Sequence, residues 1–246
     1  DFIADIALTT AITDGSGSVL DGDRDGVAGG NYSFWFEPAI DDSGLLSVVN
    51  TIYVNKDAAV GGNGTLASPF NNIPMALNRA GSLVSTTNPE GVVVKLLPSA
   101  GPDGDVTTVG DNIAYEVGLI ASIGQVLADG RNLELPGGVQ LVVDAGVIMK
   151  FLDSRISVGS DNDGFDRSQS SISVQGTPEL PVYFTSYNDT ALGSNSNVLG
   201  FSANAGDWGG IEIRNDVDRD QGRIDLERQG LFQSYINHAS FQYGGG

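Results

Sequence analysis

Between Ile172 and Ile213 the chain is divided into short β-branched runs: Ile172-Ser-Val-Gln-Gly-Thr, Pro181-Val-Tyr-Phe-Thr-Ser-Tyr and Gly206-Asp-Trp-Gly-Gly-Ile-Glu-Ile213. Glycine or a small polar residue punctuates each run. Strands this short are not stable alone. They must bury their Ile, Val and Leu and pair their backbones by stacking on one another. Brief strands at similar intervals suggest a coil of parallel strands, each turn stacked on the one before. A body of that kind offers long sheet faces for display, binding or assembly.

The same rhythm extends upstream. From Leu133, strand-like segments recur at 139–143, 146–151, 156–158, 172–174, 182–184, 211–213 and 231–243. The 34 glycines fit a chain of many tight turns. Residues 91–97 read as a strand buried on both faces. Residues 99–131, rich in Gly and Asp, read as a long excursion with a possible strand at 115–120. Within 68–80, Ile73, Met75, Ala76, Leu77 and Ala80 suit a short amphipathic helix with Pro74 in its first turn. A helix there would cap the open end of the stack.

Residues 1–45 differ. A loose alternation from Ile3 to Ile12 and the aromatic run Tyr32-Ser-Phe-Trp-Phe36 flank a Gly/Asp-rich loop. Two strands around such a loop look like the edge of a β-sandwich. Residues 37–44 read as a linker.

Lys+Arg 12 against Asp+Glu 31 gives a net charge of −19. Such a surface repels nucleic-acid phosphates and anionic membranes and attracts divalent cations. It also keeps a secreted protein soluble. With no cysteine there is no disulfide framework and no thiolate metal site. No apolar run approaches the roughly 18 residues of a membrane helix. The chain opens at Asp1 and closes at Gly244-Gly-Gly246, so it reads as a piece excised from something longer.

Two resemblances add to this. Asp14, Gly15, Gly17, Leu20, Asp21, Gly22, Asp23, Asp25, Gly26, Gly29, Gly30, Tyr32, Phe34 and Phe36 resemble the closing segment of bacterial Ig-like domains. Four phrases resemble the right-handed parallel β-helix (pectin-lyase-like) superfamily. They are Pro136-Gly-Gly-Val-Gln-Leu-Val-Val-Asp-Ala-Gly-Val-Ile-Met-Lys-Phe151, the 176–189 segment, Gly206-Asp-Trp-Gly-Gly-Ile211 and the 237–245 segment. Ile52-Tyr-Val54 with Gly64, Thr65, Ser68, Pro69 and Phe70 resembles the start of such domains. The likeness is to regions of very large bacterial secreted or cell-surface proteins.

The expectation is therefore an all-β chain. A partial β-sandwich (1–45) precedes a right-handed parallel β-helix with an N-terminal capping helix (46–246). The latter divides into cap and first turn (46–98), excursion (99–131) and regular, truncated turns (132–246). The implied function is a non-enzymatic structural or adhesive module, filament- or layer-forming and stabilised by Ca²⁺. Its partners would be its own copies or glycans, at a bacterial surface or outside the cell. A polysaccharide lyase or glycoside hydrolase acting on acidic glycans is the alternative, because that superfamily hosts many.

The sharpest chemical signal is Asp21-x-Asp23-x-Asp25-Gly26. Three alternate carboxylates with glycine sixth can curl around one Ca²⁺, with the carbonyl of Val27 seventh. Position twelve is Tyr32 rather than a bidentate Glu, so Asn31, Asp14 or water would complete the shell. An Asp/Gly-rich hairpin chosen for its turn geometry is the plainer reading. Two weaker sets follow: Asp216, Asp218 and Asp220 with Glu227, and Asp161 and Asp163 with Asp166. Each also reads as a solvated polar loop. Trp208 could stack on a sugar ring or tuck against the outside of the coil. His238 is the single histidine and lies in a strand-like alternation, so a structural role suits it. No catalytic residue stands out. Arg214 and Arg223 near the 216–220 acids read as plain ion pairs.

Overall fold

The computed structural model describes residues 4–8, 13, 17–19, 27–29, 32–36, 50–84, 91–160, 170–194, 197, 200–215 and 234–245. The chain divides into two compact units, Asp1–Val48 and Val49–Gly246. In the first, β1 (Ala4–Leu8) pairs antiparallel with β2 (Tyr32–Phe36), Ile6 opposite Phe34.

The second unit begins with β3 (Asn50–Val54), α1 (Ile73–Leu83) and β4 (Val92–Leu96). Then come β5 (Tyr115–Ile120), β6 (Gln125–Val126), β7 (Leu133–Glu134), β8 (Val139–Asp144), β9 (Ile148–Leu152) and β10 (Ile156–Ser160). It continues with β11 (Ser171–Gln175), β12 (Val182–Ser186), β13 (Ile211–Asn215), β14 (Tyr235–Asn237) and β15 (Ala239–Phe241). Three sheets result, ordered β14-β11-β8-β4-β3, β15-β12-β9-β5-β6 and β13-β10-β7. From β7 to β15 successive strands visit the sheets in turn, and residues of neighbouring strands fall into columns. Ile52, Val94, Leu141 and Ile172 are neighbours across one sheet. Tyr115, Met149, Phe184 and Phe241 are neighbours across another, as are Leu133, Ile156 and Ile211 in the third. Apart from the exposed Phe241, the columns from all three sheets meet in one core. Each fully buried Ile, Leu, Val or Phe stabilises it by about 1.5–3 kcal/mol.

The expectation of an all-β, right-handed parallel β-helix is corrected. The described residues form three mostly parallel sheets with one short helix, and one sheet is mixed because β6 runs antiparallel to β5. This is an α/β-type arrangement. The local causes are visible. A turn closed by Ile123 N–H to the Ile120 carbonyl (3.2 Å), with Gly124 at φ +67°, folds the chain straight back after β5. The helix has strong start signals: Asn72 accepts from the Met75 amide (3.0 Å), and Asp129 Oδ1 accepts from the Ile73 amide (3.0 Å). Ile73, Ala76 and Ala80 are buried, and the helix packs on β3, β4 and β8. The 115–120 segment, foreseen as a possible strand within an excursion, is an inner strand of its sheet.

Some glycines mark close backbone approach. A Cβ on Gly118 would lie 1.9 Å from the Leu152 carbonyl oxygen, and one on Gly159 would lie 1.7 Å from that of Arg214. No side chain fits there.

Candidate functional site

Alternation on β9 sends Met149 and Phe151 into the central core. Ile148, Lys150 and Leu152 therefore point to the opposite face of the sheet. That face is covered. Ile148 packs with Ala114, Leu192, Val109 and Tyr183, and Leu152 with Ile120, Leu127 and Tyr187. Lys150 lies between these two apolar clusters and is 0% exposed.

The register sets its companions. Lys150 is directly opposite Glu116 on β5 and Thr185 on β12. Thr185 Oγ1 donates to Asp189 Oδ2 (2.7 Å), and Asp189 Oδ1 accepts from the Ala191 amide (2.9 Å). The Lys150 Nζ itself has no hydrogen-bond partner. Burial depresses the Lys150 ammonium, while Glu116 and Asp189 oppose that depression. Burial also pushes the Glu116 carboxyl up to about 7, against the pull of Lys150 and Lys56 and with help from Asp129. The two groups stand opposite each other across the sheet, and burial disfavours the charged form of both. Here the amine is sealed beneath loops, which suits a structural pair better than a catalytic one.

In the turn after β6, Asp129 makes a second buried polar centre. Its Oδ2 accepts from Lys56 Nζ (2.9 Å) and from the Glu116 amide (2.8 Å). With the Ile73 amide on Oδ1, this one carboxylate ties α1, β5 and the segment after β3 together. Lys56 also lies 5.6 Å from the centre of the Tyr115 ring. Burial, and next the Asp129 charge, pushes the Tyr115 hydroxyl well above its ordinary value. Its Oη lies 2.8 Å from both the Val54 and Leu97 carbonyl oxygens.

The residues singled out by sequence are placed differently. Asp21, Asp23, Asp25 and Asn31 lie outside the described residues, as do Asp161, Asp163, Asp166, Asp216, Asp218, Asp220 and Glu227. Val27 is described and is 67% exposed. Among the described residues, no three His, Cys, Asp or Glu side chains gather as a metal group. Trp208 is neither on the outside of the sheets nor open to a sugar. It is 2% exposed, stacks on Phe151 at 4.7 Å, and donates from Nε1 to the Gln242 carbonyl (2.8 Å). The adjoining Asp207 carboxylate accepts from the Ser186 hydroxyl and the Asn204 amide, so it closes a turn. His238 interrupts the expected strand. It adopts φ +45° between β14 and β15, and its carbonyl accepts from the Val182 amide (3.0 Å). Arg214 donates to Glu212 (2.6 Å), which also meets Arg155 at 3.3 Å.

Glu116, Lys150, Asp189, Asp129 and Lys56 were missed by sequence reasoning. One signal was available for the second: Lys150 is a lone charge inside the apolar run Val147-Ile-Met-Lys-Phe151. No protein-family model, curated protein or solved structure matches this chain. No described helix is long and apolar enough to cross a membrane.

Proposed function

We propose that this chain is a non-enzymatic structural or adhesive module of a secreted or cell-surface bacterial protein. It would be calcium-stabilised through the Asp21–Asp23–Asp25 loop and would associate with its own copies or with glycans. One observation carries the reading: the buried groups best suited to chemistry are used to hold the fold together. Asp129 fastens a helix and a strand, Trp208 fills the core, and the Glu116–Lys150 row is closed over by loops. The acidic balance fits an extracellular setting with abundant divalent cations.

The test combines turnover and metal dependence. Incubation with a panel of acidic glycans should produce no unsaturated-uronate absorbance and no new reducing ends. Chelation should lower the melting temperature of the intact chain, and Asp23→Asn should remove much of that shift. Turnover of any glycan would replace this reading with a lyase or hydrolase. A melting curve indifferent to chelator would remove the calcium.

A further inference from the structure

The 99–114 loop contains two buried oxygens that nothing satisfies. Asp111 Oδ1 and Asn112 Oδ1 have no hydrogen-bond partner, and Asn112 is only 1% exposed. The Asn112 amide cannot simply be turned over, because its Nδ2 donates to the Val106 carbonyl (2.9 Å). Two buried acceptors left bare cost free energy unless a donor or a cation reaches them.

Both lie close to Gly101. A Cβ built on Gly101 would lie 3.0 Å from the Asp111 carbonyl oxygen, 3.0 Å from Asp111 Oδ1 and 3.1 Å from Asn112 Oδ1. A carboxylate, a carboxamide and a peptide carbonyl thus converge where a side chain would otherwise be. Gly101 keeps that space open and adopts φ +59°, which favours glycine in any case. Ser99 braces the loop. Ser99 Oγ accepts from the Gly101 amide (3.1 Å) and the Ile113 amide (2.8 Å), and it donates to Asp57 Oδ1 (2.6 Å). The two sides of the loop are therefore fixed against each other before any ligand arrives.

We propose that Asp111 Oδ1, Asn112 Oδ1 and the Asp111 carbonyl, facing Gly101, form a binding site for a hard divalent cation of the calcium class. All three donors are oxygen, and a mixture of carboxylate, amide and carbonyl is what Ca²⁺ accepts, with water completing six to eight ligands. Mg²⁺ requires a stricter octahedron and suits this set less well. Three protein oxygens with a single charge place the affinity among weak sites, about 10⁻⁴–10⁻³ M. The site is independent of the Asp21 loop and of the proposed function.

Calcium titration of the intact chain, followed by amide resonances, tests this residue by residue. Saturable shifts are expected at residues 99–113, distinct from any at 21–31, and weaker with Mg²⁺. Asp111→Asn should lower the affinity reported by residues 99–113 about 10- to 100-fold, leaving changes at 21–31 intact. Gly101→Ala should abolish those shifts, and its own amide spectrum shows whether it has folded. Resonances of 99–113 that stay still through millimolar calcium in a folded chain would overturn the site and leave water as its filling. Equal shifts in wild type and Asp111→Asn would overturn it too.

Discussion

Two lysines are withdrawn from solvent in neighbouring parts of the second unit, and they are treated in opposite ways. Lys56 Nζ reaches Asp129 at 2.9 Å, and that carboxylate is itself held by two backbone amides. Lys150 Nζ reaches nothing, although Glu116 and Asp189 carry opposite charge nearby. Burial alone therefore does not decide what a charge contributes. A buried ion pair with its remaining hydrogen bonds made organises the elements around it, whereas an ammonium without a hydrogen-bond partner has its desolvation cost offset only in part by nearby opposite charge. The first arrangement joins separate segments of chain. The second is a position where the covering loops outweigh the preference of the side chain.

The sharpest way to break the comparison is to remove the satisfied partner. Asp129→Ala leaves Lys56 buried and unpaired and strips the Ile73 and Glu116 amides of their acceptor. Urea unfolding should show a loss of about 3–5 kcal/mol. Adding Lys56→Met to that variant should recover part of it, and a double variant as weak as the single would refute the ion-pair account.

The second test uses pH. The native Glu116 carboxyl holds its proton up to about 7, while an unfolded glutamate releases it near ~4.3. Between those values the native state binds the extra proton. Stability from this group is thus present below the unfolded value and is lost as pH rises through 7. Lys150 acts in the other direction at higher pH: its depressed ammonium lets stability recover toward the ordinary lysine range. Glu116→Gln should flatten the decline between about pH 4.5 and 7 and raise stability at pH 8 by on the order of 2 kcal/mol. An unaltered pH profile of the urea midpoint would show that Glu116 is not the titrating group.

The smallest effect provides the yardstick. Arg131 lies 3.6 Å from Asp153, with both side chains more than half exposed. Arg131→Ala should change the unfolding free energy from urea titration by less than about 0.5 kcal/mol. A larger change would mean that exposed pairs in this acidic chain carry more than their geometry implies.

Much of the strand pattern is legible before folding. The runs at 139–143, 156–158, 172–174, 182–184 and 211–213 all fall within strands, and the 146–151 run overlaps β9 from Ile148 onward, because alternating β-branched residues bounded by glycine leave few other options. The helix is legible from Pro74 and the spacing of Ile73, Met75, Ala76, Leu77 and Ala80, while the Asn72 cap is seen only in the structure. The class assigned from resemblance is not what the sheets show, since the return of β6 beside β5 and the packing of α1 depend on one turn and on one distant carboxylate. From sequence, Trp208 reads as a ring stacked on a sugar or tucked against the outside of the coil, next to a glycine-rich turn. The turn is real, but it aims the ring inward onto Phe151. The polar centres were not legible at all. Asp129 lies 73 residues from Lys56 and 56 from Ile73, and no local spacing announces such a meeting.

The amino-acid order alone determined where strands and turns fall, because periodicity and glycine conformations are properties of a few adjacent residues. It also determined the strongly acidic balance and the absence of thiol chemistry. Only the tertiary structure decided which outward-facing residues meet water. Lys150 alternates away from the core, as a charged residue should, yet the loops carrying Ala114 and Leu192 pack over that face and seal it in. Solvent exposure is a property of what lies opposite a residue in space, and the chain reaches those partners only by folding.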